Sequence, residues 1–429
     1  MINHLEQYTA SQVVVLLKEK KISVESLVRS CLQRIAQRES AVHAWAFIDP
    51  EYVIRQAQEM DRVGPRAPLY GLPIGIKDVL LTKDMPTQYN SALYKNFHPH
   101  IDASCVSLLR QAGALIFGKT ETVEFASSGK LAPTCNPHDV LHTPGGSSSG
   151  SAAAVADFHV PLALGTQTGG SMIRPGSFCG VFAFKPTWGI VSPEGSKIFS
   201  PSLDTIGWFG KSVDDLVLLN DVFDTLDQTI PVISLATARI AVCRSPVWSY
   251  ADISTKQALE QCALKLQEAG AQINDLVLPD EFNALAEAQK LIMLSEGRAS
   301  FLTQYRADKS KLHPNICAQV ENTAGYTRMQ LRQAYDLAAH CRSMFDAMAA
   351  DFDAVLTPST PGTAPLSTEG SGSMIFNGIW TLLHTPCVNI PVNRQPGELP
   401  LGLTVTGARF SDRHTLAAAH AMAQSIAQQ

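Results

Sequence analysis

The amino-acid sequence predicts an α/β fold, and three observations carry that prediction. A helical apolar stripe that runs into a glycine and then a buried strand occurs over residues 101–119. The same order recurs over 259–278, and three strand-like runs follow residue 351 towards the end of the chain.

In chain order, Thr9 and Gln12 form a capping box ahead of Val13, Leu16 and Leu17, and Ser23 precedes Leu27, Cys31 and Ile35, so two amphipathic helices are predicted. In the first αβ unit Cys105, Leu108, Leu109 and Ala112 mark a helix face, Gly113 stops the helix, and Ala114–Phe117 reads as a buried strand. In the second, Leu259, Cys262, Ala263 and Leu266 supply the face, Gly270 the stop, and Ala271–Leu278 an alternating strand. The likeness of Gln111–Ala114 to Glu268–Ala271 is turn chemistry and not an internal repeat. Residues 282–350 are almost continuously helical in pattern, with a stripe at Leu331, Tyr335, Ala338, Arg342 and Phe345. Strand character returns at Phe352–Pro358, Cys387–Val392 and Leu401–Ala408. No linker or low-complexity tract divides the 429 residues.

Hydrophobic residues make up 45% of the chain, enough for a large core. A formal charge of -5, with 17% charged residues, offers no basic field to a phosphate backbone, so no direct nucleic-acid binding is expected. The nine cysteines are scattered from Cys31 to Cys387 without a CxxC pair or zinc-ligand spacing. They read as buried thiols in a reducing compartment, and no metal is expected. The start lacks a basic n-region, and nowhere do about 18 apolar residues run together. The expectation is a cytoplasmic protein without membrane association.

The stretch Gly165–Gly180, GTQTGGSMIRPGSFCG, carries the chemistry. Two successive glycines cost entropy and pack nothing, so backbone there must approach something closely. Consecutive N–H donors beside the Ser171 hydroxyl are two ingredients of acyl transfer, an oxyanion site and a nucleophile. The third is a base. Twelve histidines are available, but His138 and His142, near the serine run, sit in no triad context. Gly146–Gly150 matches GxSxG around Ser148, yet it follows a loop where that elbow requires a strand. Ser127 and Lys130 match SxxK without its companion motifs.

Lys77 is the better base. In Leu69–Leu80, Ile74 and Ile76 share one face of a short strand while Lys77, at its end, points to the other. Burial disfavours the ammonium and brings a lysine towards the range of about 7 to 8, where it accepts protons at neutral pH. An ordinary ion pair with Asp78 is the competing account of the same residue. Thr143–Ala156, with Gly145 and Gly146 ahead of three serines and a run of small residues, reads by itself as a turn with a serine cap for a helix.

Together, GIKD (Gly75–Asp78), PGGSSSGS (Pro144–Ser151), GTQTGGSMIRP (Gly165–Pro175) and FKPT (Phe184–Thr187) resemble the amidase signature family in type, order and spacing. A weaker likeness runs from about residue 5 to 425 and includes SLDTIGWFG (Ser202–Gly210). The resemblance implies one domain over 1–429 with a large mixed twisted sheet flanked by helices on both faces. Within it lie a signature core at about 65–215, a helical layer shaping the pocket at about 250–350, and closing strands and a helix at about 352–429. It also implies a Ser-cisSer-Lys triad. Ser171 is the expected nucleophile, and Ser147, on a cis peptide at or beside Gly146–Ser147, relays its proton to Lys77. The backbone amides of Thr168, Gly169, Gly170 and Ser171 are the expected oxyanion hole, and Arg174, Thr166 and Gln167 the expected substrate contacts. No cofactor is implied, the partner is a small-molecule amide, and a homodimer fits.

The chain departs from many relatives at Gln167, where aspartate is frequent, and at GGSSSG in place of GGSSGG, which moves it towards malonamidase-like small-amide hydrolases. His384 stands where glycine is common, and Thr404 replaces a frequent glutamine. The function expected is hydrolysis of a small carboxamide, an acid monoamide or urea-like compound, to carboxylate and ammonia. Arg174, whose planar fork suits a carboxylate, points to an acidic substrate, with a structural salt bridge as its other reading. One alternative is a glutaminase-type component of a tRNA-dependent amidotransferase. Another is an inactive amidase-like scaffold, which has no need of Lys77, Ser147 and Ser171 together.

Overall fold

Eleven strands form one mixed sheet in the computed structural model, which describes residues 4–224, 231–392 and 397–427. They are β1 (Trp45–Phe47), β2 (Pro73–Lys77), β3 (Leu115–Thr120), β4 (Leu162–Gln167), β5 (Phe182–Lys185), β6 (Thr205–Gly210), β7 (Arg239–Val242), β8 (Gln272–Asp275), β9 (Ala354–Pro358), β10 (Cys387–Pro391) and β11 (Gly402–Thr406). Their order across the sheet is β1-β3-β2-β4-β6-β5-β10-β11-β9-β7-β8. β2 is parallel to both β3 and β4. From β4 to β9 every pairing is antiparallel, and β9, β7 and β8 are parallel again at the far edge.

Parallel neighbours need crossovers, and the predicted αβ units supply them. The helix Ser104–Gln111 returns the chain from β2 to β3, and Ile253–Glu268 returns it from β7 to β8. Gly113 and Gly270 end these crossovers at φ 89° and 103°, left-handed backbone that favours glycine. β2, β3, β4 and β6 are buried along their whole length, so helices cover both faces of the sheet there. At the N-terminus both predicted caps form. Thr9 and Gln12 close a box on the helix Ala10–Lys18, and Ser23 caps Val24–Val42. β9, β10 and β11 occupy the three runs predicted late in the chain; residues 393–396 and 428–429 of the expected closing region lie outside the described residues.

The near-continuous helix expected over 282–350 is instead divided into Leu285–Ser300, Leu302–Asp308, Pro314–Glu321 and Arg328–Ala349. Pro314 starts one helix at its first turn, and Asn322 in left-handed conformation stops it. Of the predicted stripe, Ala338 and Phe345 are buried, joined by Ala334 and Cys341 one position removed and by Ala349 one turn further on. Ala271–Leu278 pairs only as the four-residue β8, exposed on an edge with one neighbour. Leu108, on the predicted helix face, is exposed because its short helix buries Cys105, Val106 and Leu109.

Helix Ser149–Ala156 packs on β2, β3, β4 and β6 at the heart of this arrangement, with Gly150 in its first turn. A Cβ at Gly150 meets the backbone oxygen of Ala44 at 2.2 Å and the backbone nitrogen of Glu121 at 2.4 Å. Backbone cannot retreat as a side-chain tip can, so Gly150→Ala is expected to destabilise the protein by about 1–3 kcal/mol. Denaturant unfolding checks this, and an unchanged midpoint with unchanged slope contradicts it.

Candidate active site

Lys77 ends β2, the middle strand of the parallel trio, and is fully buried. Its ammonium has no carboxylate partner within salt-bridge distance among the described residues. Hydroxyls surround it instead: Ser147 Oγ at 2.8 Å, Ser148 Oγ at 2.9 Å and Thr166 Oγ1 at 2.8 Å, with the Thr166 carbonyl at 3.4 Å. Burial drives the Lys77 pKa well below its ordinary value; the nearby Asp204 charge pulls it upward and Arg174 pushes it down. The ion-pair account is thereby answered. Asp78 turns the other way to Lys119, whose Nζ lies 3.0 Å from Asp78 Oδ1 and also donates to Thr87. Burial moves both partners towards their neutral forms, against their attraction.

The Gly146–Ser147 peptide is cis. The three serines that follow separate in function. Ser147 reaches Lys77 and lines a cavity. Ser148 makes no capping bond for the helix Ser149–Ala156, as a turn-and-cap reading requires, but donates to the Thr166 carbonyl and touches Lys77. Ser149 donates to the carbonyl of Gly145.

Past β4, residues 168–171 cross to the helix Ile173–Cys179. The backbone amides of Thr168, Gly169, Gly170 and Ser171 have no acceptor among the described residues, and neither does the Ser171 hydroxyl. The paired glycines answer to space. A Cβ on Gly169 meets Met374 Sδ at 2.2 Å, and one on Gly170 meets Asn377 Oδ1 at 2.4 Å. Ser147, Thr168, Gly169, Ser171 and Arg174 share a cavity of about 380 Å³, also lined by Phe199, Met293 and the segment Ser371–Met374. Among the described residues, no histidine and no acid lines it. His138 bonds the Cys179 carbonyl and His142 pairs with Asp139, both away from it.

Arg174 lies on the cavity wall, buried, and donates to the carbonyl of Gly146 through Nε (3.1 Å) and Nη2 (2.5 Å) and to that of Gly372 through Nη1 (2.5 Å). No carboxylate lies within 4 Å of it among the described residues, so the salt bridge offered as its structural role is replaced by carbonyl contacts. Two of its five N–H groups remain outside these bonds. Burial lowers its pKa to about 10, which leaves it charged at neutral pH. Thr166 and Gln167, expected at the substrate, are placed elsewhere. Thr166 belongs to the shell of Lys77. Gln167 is fully buried, its Oε1 accepting from the amides of Met172 and Ile173 and its Nε2 donating to Thr381, which makes it a brace behind the loop.

Sequence reasoning missed Ser148, Asp204 and Met293. Asp204 accepts from Thr168 Oγ1 at 2.6 Å and from the amides of Phe199 and Ser200, and burial raises its pKa to about 6. A lone acid in SLDTIG gave a signal without a partner to attach it to. Among the described residues no group of three or more His, Cys, Asp or Glu side chains is gathered as metal ligands are.

The amidase family model matches residues 26–416, across all of these elements. The chain belongs to the amidase family. This amidase is 31% identical to the A-subunit of glutamyl-tRNA(Gln) amidotransferase from Geobacillus kaustophilus (strain HTA426), over 98% of each chain. It superposes on the crystal structure of an amidase with a TM-score of 0.89 at 27% identity, covering 98% of this chain and 100% of the other. On the peptide amidase from Stenotrophomonas maltophilia the TM-score is 0.83 at 26% identity, covering 98% and 97%. The amidase is therefore an enzyme acting on amide C–N bonds, in a single α/β domain of the amidase-signature type. No helix among its described residues is long and apolar enough to cross a membrane.

Removing Lys119 from the amidase strands the buried Asp78 carboxylate beside Lys77. Lys119→Ala is expected to cost about 3–5 kcal/mol in denaturant unfolding, as for other broken buried pairs. A loss below about 1 kcal/mol, the range of exposed pairs, shows that Asp78 finds another partner or water.

Proposed function

We propose that the amidase deamidates a small carboxamide that carries a carboxylate at its other end, through an acyl-enzyme on Ser171. The Ser171 oxygen attacks the amide carbonyl, the C–N bond breaks, ammonia leaves with the serine proton, and water then hydrolyses the ester to regenerate the hydroxyl. The observation that carries the reading is the shell of Lys77. Ser148 spends its hydrogen on the Thr166 carbonyl, so it only accepts from Lys77. A neutral amine has two N–H groups and one lone pair. With Ser148 and Thr166 taking the former, the lone pair is left to the Ser147 hydroxyl, whose oxygen is then free to accept from Ser171. The unpartnered amides of residues 168–171 receive the charge that forms on the carbonyl oxygen.

The substrate class comes from charge. Arg174 faces the cavity as a buried cation without a counter-ion, which a substrate carboxylate supplies. Among the described residues the cavity wall has no acid to partner a substrate ammonium. This favours a dicarboxylic acid monoamide over an amino-acid amide. A second reading is favoured by the name of the sequence relatives, glutamyl-tRNA(Gln) amidotransferase. In it the ammonia released at Ser171 passes to a partner protein that works on a charged tRNA, with glutamine as the amide. Ammonia release from acid monoamides, neutral amides, ureas and glutamine separates the two. Activity on monoamides by the chain alone supports hydrolysis, whereas activity on glutamine only with a co-purifying partner supports the second reading.

Ser171→Ala and Lys77→Met are each expected to lower kcat by at least about 10³-fold, since members of a catalytic unit fail together. Full activity in either variant sinks the mechanism, and no ammonia from any amide with Ser171 unmodified by an acylating reagent supports the inactive scaffold. Arg174→Ala is expected to lose its preference for acidic over neutral amides by about 10-fold or more. On a neutral amide the same variant has a second signature. Lys77 must be deprotonated to act, so activity falls as pH drops through its pKa. Removing the repelling Arg174 charge raises that pKa, and the acid limb of the kcat profile moves to higher pH. A limb that stays in place shows that Lys77 does not govern it.

A further inference from the structure

We infer that Gln289 and Thr381 are positioning residues that aim the amides of the 168–171 loop by holding the far ends of its peptide planes. The inference rests on the acyl-transfer reading, in which those amides meet the reacting oxygen.

In a trans peptide the carbonyl of one residue and the N–H of the next share a plane and point in opposite directions, so a held carbonyl fixes the aim of the following amide. Three successive carbonyls of the loop are held. Thr168 O accepts from Gln289 Nε2 at 3.0 Å, Gly169 O from Thr381 Oγ1 at 2.7 Å, and Gly170 O from the Arg174 amide at 2.9 Å. The amides at the opposite ends belong to Gly169, Gly170 and Ser171, the ones left without acceptors. Glycines have no side chain through which neighbours could restrict their backbone, so the loop's aim must be imposed from outside it. Arg174 supplies one anchor from the adjoining helix. The other two come from 121 and 212 residues away.

Both anchors are buried and have no competing claim of equal quality. Gln289 stands one turn before Met293 on the helix Leu285–Ser300, so the helix face that lines the cavity also sets the first amide. Thr381 lies on the helix Ile375–Leu382 and also accepts from Gln167 Nε2 at 2.9 Å. Through Gln167, whose other end holds the amides of Met172 and Ile173, one relay braces both sides of Ser171. The hydroxyl of Thr168 is held separately by Asp204.

The test compares Thr381→Val, Thr381→Ser and Gln289→Met with the wild type, with thermal melting to confirm that each is folded. The probe is p-nitrophenyl acetate, whose burst of p-nitrophenolate reports acylation of Ser171, with Ser171→Ala as control. Removing an oxyanion donor outright costs about 10²–10³-fold, so misaiming one is expected to slow acylation about 10-fold or more in Thr381→Val and Gln289→Met. KM stays within about 2-fold, because the lost interaction is made in the transition state. Thr381→Ser keeps the hydroxyl and restores the rate. A folded Thr381→Val or Gln289→Met acylating at the wild-type rate overturns the inference, as does a Thr381→Ser as slow as Thr381→Val, which marks packing. If Thr381→Val does not fold, Gln289→Met and Thr381→Ser decide alone. A burst surviving in Ser171→Ala overturns the acyl-enzyme reading instead.

Discussion

The site depends on one lysine being buried among hydroxyls. An ammonium taken out of water needs a carboxylate close by, or it gives up its proton. Lys77 has none in contact among the described residues, and its neutral form is the one that Ser147, Ser148 and Thr166 can satisfy with neutral hydrogen bonds. The nearest opposing influences, Asp204 and Arg174, act at longer range and in opposite senses. Asp78, one residue away and buried too, is kept from Lys77 by Lys119, on the neighbouring strand β3. Adjacent residues of one strand point to opposite faces, so two lysines and one aspartate divide into a salt bridge on one side of β2 and an isolated amine on the other.

Arg174 shows how a single residue couples separate parts of the site. Its guanidinium takes the carbonyl of Gly146, at the cis peptide, and that of Gly372, on the segment that lines the cavity. Its charge bears on Lys77 from the cavity wall. Under the proposed function, the residue that meets the substrate carboxylate is also one that pushes the Lys77 pKa down, so a bound carboxylate alters the field at Lys77.

The legible parts of the fold were local ones. Capping boxes at Thr9 and Ser23, glycine stops at 113 and 270, and the late apolar strands need only a few neighbouring residues to declare themselves, and each appears where its pattern places it. The helical stretch after residue 282 was misjudged in its continuity, since periodicity survives a break that Pro314 and Asn322 impose. His384 was noticed as standing where glycine is common; its φ of 62° gives the reason, and its stacking on Trp188 shows what the side chain gains there. In the site, Lys77, Ser147 and Ser171 were named from residue types in a spacing, and the structure puts Lys77 against Ser147 and lines one cavity with Ser147 and Ser171. The roles of Ser148, Gln167 and Asp204 were not, because each is settled by a partner: Lys77 and Thr166 for Ser148, Thr381 for Gln167, Thr168 for Asp204. Those partners stand 18 to 214 residues away, beyond the reach of a local pattern.

β2 and β4 are paired in parallel with Ile74 opposite Leu162, Gly75 opposite Ala163 and Ile76 opposite Leu164. Lys77 and Thr166 therefore emerge from the same ends of neighbouring strands, and the distance between base and loop is set by the spacing of a sheet, about 4.8 Å per strand. A slip of one residue in β2 turns Lys77 to the face of Asp78 and delivers Ile76 to the hydroxyls. Strand pairing is thus the ruler of the chemistry. Under the proposed mechanism, the alignment of two buried strands sets whether Lys77 meets its hydroxyls at all.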